Sequence, residues 1–376
     1  MSTRKGHGPA KKPTGPTHPT FSAKKGDFFS TVQRRANAYF AERGEHPWAS
    51  PGRQVMSLLL VAAVPALFYP AYVKGWALAA LVLGVVRAVA VLGPGHSMSH
   101  LALFRGTKAN VFAFRIVAPL LLTTMPVWRL THVIHHHLYT LTDADLQDHY
   151  PFKRVQPSQP HCWWHRYQHL YMWPLYVLGL PVWQALDLVR AFGSLFTGAF
   201  LDRPFPLRYR IETLIGQAIT VFLHIVLPFL LLPPAQAALI AFIANAVAGL
   251  IVVLQIVVNH EVTSAALEGA ATPGSDWGEH QVRTSHNYAT DSAVALHMSG
   301  GLNFQVEHHL FPRVYYAHYP ALAPIVRETC AEFGLPYYSS PTFAEAIGSH
   351  YSLLRTLGQP VPAAPILAES SDVAAG

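Results

Sequence analysis

Residues 111–137 read VFAFRIVAPLLLTTMPVWRLTHVIHHH, and whether this stretch crosses a membrane decides the fold. Its first part, Val111 to Trp128, is apolar enough to span. Its last part holds His132, His135, His136 and His137. Two more histidine clusters occur, His96 and His100 in GHSMSH and His308 and His309 in QVEHH. On a helix His96 and His100 share a face, as do His132 and His136, and Gln305, His308 and His309 stand at i, i+3, i+4. Neutral imidazole is the commonest protein metal ligand. Eight of them exceed the three or four that one zinc takes, so two metal ions are the natural reading. A crossing at Val111 to Trp128 would carry His132 away from the other clusters. The stretch is therefore expected to be interfacial or re-entrant, which Arg115, Pro119 and Pro126 ease.

Outward from this stretch the chain reads as an all-α integral membrane protein. Of its 376 residues 51% are hydrophobic and only 12% charged, about half the usual charged share of roughly 25%. Four spans are expected, Val55 to Tyr72, Trp76 to Leu92, Ile211 to Leu232 and Ala235 to Val258. They form two transmembrane hairpins, because the turns at Lys74-Gly75 and Pro233-Pro234 are short and prolines stop helices. Tyr171 to Leu188, aromatic and interrupted by Pro174 and Pro181, is expected along the interface.

Such tight turns put the N-terminus, the middle segment and the C-terminus on one face. Arg4, Lys5, Lys11, Lys12, Lys24, Lys25, Arg34, Arg35, Arg43 and Arg53 stand against three acids in the same stretch, which makes that face cytoplasmic. The net charge of +7 follows from the same rule, with docking of an acidic electron donor or an anionic acyl carrier as the functional addition. Nothing points to nucleic acid. Residues 1–50 read as a basic, partly disordered arm, 51–358 as the membrane domain with a cytoplasmic helical cap from about residue 310, and 359–376 as a flexible tail. No secretory h-region precedes Val55. Cys162 and Cys330 lie in no metal-ligand spacing, so the metal chemistry rests on nitrogen.

The order GHSMSH, THVIHHHLYTLTDADLQ, GGLNFQVEHHLFP, laid over two membrane hairpins, resembles the integral-membrane fatty acid desaturases. QVEHH is similar to the front-end and related bacterial acyl-lipid branch, and the likeness covers roughly residues 50 to 350. It implies metal ligands at His96, His100, His132, His308 and His309, with Gln305 as a ligand or water-holding neighbour. The second box stays open between two registers. Helical facing favours His132, His135 and His136, whereas the following Leu138-Tyr139-Thr140 resembles relatives in which the pair is His136 and His137. A further ligand is expected in DWGEHQVRTSHNY, where His280 is preferred over His286. His260 and His224 are read as packed or hydrogen-bonded residues, and Asp143, Asp145, Asp148 and Glu307 as candidate partners of ligating histidines.

The resemblance implies a desaturase that uses O2 and two irons to place a cis double bond in a fatty acyl chain, with two waters as by-product. The substrate is carried on CoA, a carrier protein or a membrane lipid. Two electrons per turnover come from an external donor such as ferredoxin or cytochrome b5 with its reductase, since no His-Pro-Gly-Gly haem motif is present. Trp128, Tyr139, Trp163, Trp164 and Phe304 are candidate acyl-slot residues. A bacterial inner-membrane location is expected. A hydroxylase or ketolase on the same scaffold is the alternative, and a metal transporter a remote one, because only His224 and Asn245 put polar groups inside the spans.

Overall fold

The computed structural model describes residues 20–22, 24, 26–145, 151–200, 203–268 and 275–360. Residues 1–19 of the basic arm, Asp148 and the tail from residue 361 lie outside the described residues. Helix α1 (Phe28–Arg43) ends at Gly44, whose φ of 61° is open to a residue without a side chain. Two helices long and apolar enough to cross a membrane follow, α2 (Pro51–Val73) and α3 (Ala77–Ser99). Pro51 opens α2 at a position where its missing N–H costs nothing.

The structure carries the second span seven residues past Leu92, so that His96 lies on the helix itself. Gly93-Pro94-Gly95 reads as a helix stop. A π-helical turn over Val91–Gly95 instead widens the backbone enough to pass the proline without ending the helix.

Helices α4 (Thr107–Leu121) and α5 (Met125–Tyr139) meet at 106°. Leu122 makes the corner with a left-handed φ of 61°, so Val111 to Trp128 is no straight span. Helices α6 (Trp163–Val177) and α7 (Gly179–Thr197) likewise meet at 80°. Two more apolar helices of crossing length complete the set, α8 (Leu207–Leu231) and α9 (Pro234–His260).

At the centre α3 lies against α2 and α9. The contact is built on small residues, Ala80, Gly84 and Ala88 on α3 and Ala237, Ala241, Ala244 and Ala248 on α9, all buried or close to it. A methyl group at Gly84 would stand 2.9 Å from the Ala244 carbonyl oxygen. Backbones approach this closely because membrane helices gain from van der Waals fit rather than from expelling water. Arg87 is fully buried here, and such a charge persists only when hydrogen-bonded. Its guanidinium donates to Nδ1 of His224 at 2.9 Å, to the Ala244 carbonyl at 2.5 Å and to Asn245 Oδ1 at 3.1 Å. His224 Nε2–H in turn donates to the Pro119 carbonyl at 3.2 Å. One side-chain chain thus ties α3, α8 and α9 to the bent pair.

Past the fourth span come α10 (Trp277–Arg283), α11 (Gln305–Leu310), α12 (Tyr319–Glu332) and α13 (Phe343–Leu357), of which α13 packs on α9. Phe28, Val32, Val282, Val306, Leu322 and Val326 form an apolar core shared by α1, α10, α11 and α12. Gly300 and Gly301 adopt φ of 61° and 85° just ahead of α11. A side chain at Gly300 would lie 2.1 Å from the Leu92 carbonyl oxygen. These two glycines let the third histidine box lie directly on the widened turn that precedes the first.

Candidate metal centre

Eight imidazoles converge in three overlapping groups, His96/His100/His132/His308, His136/His260/His309 and His137/His308/His309, with ligand nitrogens in each group within 4.8 Å of one another. All eight are buried. The outer two groups share no residue, and the third joins them. They are drawn from the end of α3, from α5, from the end of α9 and from α11, which explains why boxes far apart in sequence meet.

The second box owes its facing to its backbone. Arg129–His136 is π-helical, a wider turn closed by i→i+5 hydrogen bonds. In a plain α-helix residues five apart point about 140° away from each other, at roughly 100° per residue. In the wider turn His132 and His137 come together, with ring centroids 5.0 Å apart, while His132 and His136 stack at 5.3 Å. His135 is turned aside, buried with its ring 5.9 Å from that of Tyr139, and belongs to none of the three groups.

Hydrogen bonds on the far side of the rings aim the inner nitrogens. His136 Nδ1–H donates to Asp145 Oδ2 at 2.9 Å, His260 Nδ1–H to the Thr284 carbonyl at 2.7 Å and His309 Nδ1–H to Gln281 Oε1 at 2.7 Å. A proton fixed on Nδ1 leaves Nε2 as a lone pair, the form in which imidazole binds metal. Gln305 lies against the His260 lone pair, its amide nitrogen 2.8 Å from Nε2, and accepts from Asn259 at 3.0 Å. In the other outer group His132 Nε2 is 2.9 Å from His96 Nε2 and 3.1 Å from His100 Nε2, and His308 Nε2 reaches His137 Nε2 of the joining group at 3.2 Å. His308 Nδ1 meets the Tyr319 hydroxyl at 3.2 Å.

Burial holds the imidazoles of His100, His308 and His309 well below their ordinary pKa, and neighbouring imidazoles push the same way. They are therefore neutral at physiological pH. Each lone pair would be satisfied by a cation, and the all-nitrogen donor set suits zinc, copper, nickel or iron. The arrangement fits two metal ions, one in each outer group.

His280 is buried, its pKa lowered to about 4 by burial, and packs on Phe21 at 5.2 Å. It joins none of the three groups. Its neighbour Gln281 is the residue that touches the centre. His286 is engaged by Ser264 and Ser340 at 3.0 and 2.8 Å. Of the candidate carboxylates Asp145 is bonded to a clustered histidine, whereas Glu307 faces away, accepting from Asn287 at 2.9 Å and Tyr337 at 2.7 Å. Burial raises its pKa to about 7, against the pull of those two bonds. His260 was not foreseen as part of the cluster. Its place at the end of the fourth span, at the same face as His96 at the end of the second, was the available signal.

A cavity leads away from His96 and Trp128, lined by Leu122, Leu180 and Trp183 and reaching Asp187 and Arg190. Trp128 packs on His132 at 4.5 Å and donates to Ser99 at 3.0 Å, so this wall is fixed to the centre.

Residues 74–341 match the Fatty acid desaturase family. The chain is 31% identical over 358 residues to an acyl-lipid (8-3)-desaturase of Physcomitrium patens, covering 89% of this chain and 72% of that one. It is 30% identical over 367 residues to acyl-lipid (8-3)-desaturase B of Dictyostelium discoideum, covering 91% and 77%. An sn-1 linoleoyl-lipid 6-desaturase of Synechocystis sp. is 29% identical over 375 residues, covering 90% of this chain and 97% of that protein. The chain belongs to the fatty acid desaturase family. It is an oxidoreductase that desaturates fatty acyl chains, which sets the transporter reading aside.

Proposed function

We propose that this chain is an O2-dependent front-end desaturase whose eight clustered histidines hold two irons and whose substrate is an acyl chain esterified to a membrane lipid. The observation that carries the reading is the pair of imidazole groups joined by His137 and His308, with inner lone pairs set by Asp145, Gln281 and Thr284. The irons, when bound, would supply the oxidising power to take one hydrogen from each of two adjacent unactivated methylenes, and those two hydrogens, with O2, two electrons and two protons, leave as two waters.

The chain's own residues do the rest. Asp145, Gln281 and Thr284 hold three imidazoles in the ligating tautomer, and burial keeps the set neutral and water out. Trp128, Leu122, Leu180 and Trp183 give an apolar slot that fixes the acyl chain beside His96. The names of the relatives, acyl-lipid (8-3)- and linoleoyl-lipid 6-desaturases, support a lipid-linked substrate and a double bond placed toward the carboxyl end.

The four spans are assigned to two hairpins, with both termini, Thr107 and Gln156 cytoplasmic. This rests on the histidines at the ends of α3 and α9 and on the two turns meeting at the opposite ends, where Gln236 donates to the Gly75 carbonyl at 3.2 Å. Electrons then reach the centre from the cytoplasmic side, from ferredoxin or from cytochrome b5 with its reductase. Expression in a host with a suitable donor, followed by fatty acid profiling against an empty control, tests the reaction. A new cis-unsaturated acid is expected, and a hydroxylated product instead would overturn it. Metal analysis of anaerobically reconstituted protein should give two irons per chain, and one tight zinc without iron would refute the di-iron centre. Cysteine labelling should find Gly75→Cys and Pro234→Cys outside and Gln156→Cys inside.

A further inference from the structure

A second cavity, of about 290 Å³, lies between α6, α7 and α9, away from the histidines. Its body is apolar, walled by Met172, Tyr176, Val182, Trp183, Val253 and Val257. It is about twice the size of an engineered apolar cavity of roughly 150 Å³ that takes up benzene. One end is polar, formed by Lys153 and Glu261, which are ion-paired and buried. Glu261 Oε2 makes no hydrogen bond among the described residues and has His350 Nδ1 at 3.9 Å. A hydrocarbon chain alone would set methylenes against this ion pair, so the polar end suits an ester or hydroxyl and the body its chain.

Two walls connect this space to the centre. Trp183 also lines the cavity that reaches His96, and Ile256 also lines the space bordered by His132, His136 and His260. From Glu261 to Ile256 is five helical residues, about 7.5 Å of rise. A glycerol ester seated at Lys153 and Glu261 can therefore send one chain past Ile256 toward the histidines and the other into this cavity.

We propose that the cavity between α6, α7 and α9 binds the second acyl chain of a diacyl glycerolipid substrate, with the ester end held at Lys153 and Glu261. The proposal rests on the lipid-linked reading above and names its substrate class as diacyl. Selectivity against monoacyl lipids follows, because only a two-chain lipid fills both cavities.

The test uses the full chain in nanodiscs and a diacyl phosphatidylcholine carrying a photoactivatable diazirine midway along either the second or the reacting chain. Label from the second chain is expected on residues 172–183 and 253–257. Label there from the reacting chain would overturn the proposal in favour of one continuous slot. Equal label there from a diazirine lipid that is no substrate would assign the cavity to a resident membrane lipid and overturn it too. A turnover arm compares the diacyl lipid with the lysolipid bearing the same reacting chain. Val257→Phe and Met172→Trp, which fill the cavity, should each lower the diacyl-over-monoacyl ratio of kcat/KM about tenfold. An equal fall for both substrates would refute the assignment. Absence of product from every acyl substrate would instead count against the desaturase reading, and the labelling pattern would still decide what the cavity holds.

Discussion

Replacing His260 with alanine separates the geometry of this centre from its sequence motifs. The substitution takes one of three imidazoles from the His136/His260/His309 group. It also leaves the Thr284 carbonyl without the 2.7 Å bond and the Gln305 amide without the 2.8 Å contact that His260 supplies. Loss of a partner that merely orients a ligand costs 10–100-fold in metal affinity or activity, so loss of the ligand itself sets a floor of about 100-fold. That corresponds to about 2.8 kcal/mol at 1.4 kcal/mol per tenfold. Each orphaned buried group adds about 1–3 kcal/mol against the folded centre. The expected result is a fall from two irons to about one per chain by plasma mass spectrometry of the detergent-purified protein, with desaturated product down at least 100-fold. His280→Ala, in the same assay, should keep both irons. A His260→Ala protein with two irons and normal turnover would refute the reasoning, as would loss of iron in His280→Ala alone.

The same logic predicts that His137→Ala abolishes product whereas His135→Ala keeps most of it, at matched expression, because only the former faces the other boxes; equal losses would show that the π-turn is not what selects the register. Asp145→Asn removes a buried charge-assisted bond worth about 1.5–3 kcal/mol, so iron affinity in chelator competition should fall roughly ten- to a hundredfold while the fold survives. Gly300→Ala should lower the melting temperature or expression sharply, since its methyl would meet the Leu92 carbonyl at 2.1 Å in a left-handed backbone, strain of at least about 1–3 kcal/mol; an unchanged melting curve would show that the third box does not rest on that turn.

The spans were legible because bilayer thickness demands runs of apolar residues that composition alone reveals. Their ends were not, and the ends matter here. The expected end at Leu92 falls short, because the π-turn over Val91–Gly95 carries the helix past Pro94 and on to Ser99. The bend at Leu122 was inferable from the need to keep His132 with the other boxes, although no glycine marks it. Histidine identity was legible wherever a cluster announced it. His260 stands alone in an apolar helix, and nothing local distinguishes it from His224, which is occupied by Arg87 and Pro119. Depth along the span separates them, since His260 ends its helix where His96 nears the end of its own.

The π-turns explain why a period-based reading of the second box chose His135. A hydrophobic or ligand face read at 3.6 residues per turn assumes that every residue in the segment is α-helical. One extra residue per turn shifts the downstream face by about 100°, enough to exchange His135 for His137. Such turns have poor intrinsic geometry and persist where surrounding structure over-determines them, which is why they concentrate at functional sites. Two of the three boxes meet that condition. Val91–Gly95 precedes His96 and bears on Gly300, and Arg129–His136 contains His132, His135 and His136. Widening at these two places turns the histidines of α3 and α5 toward those of α9 and α11. The strain is offset by the packing of Trp128 on His132 and by the bond from His136 to Asp145.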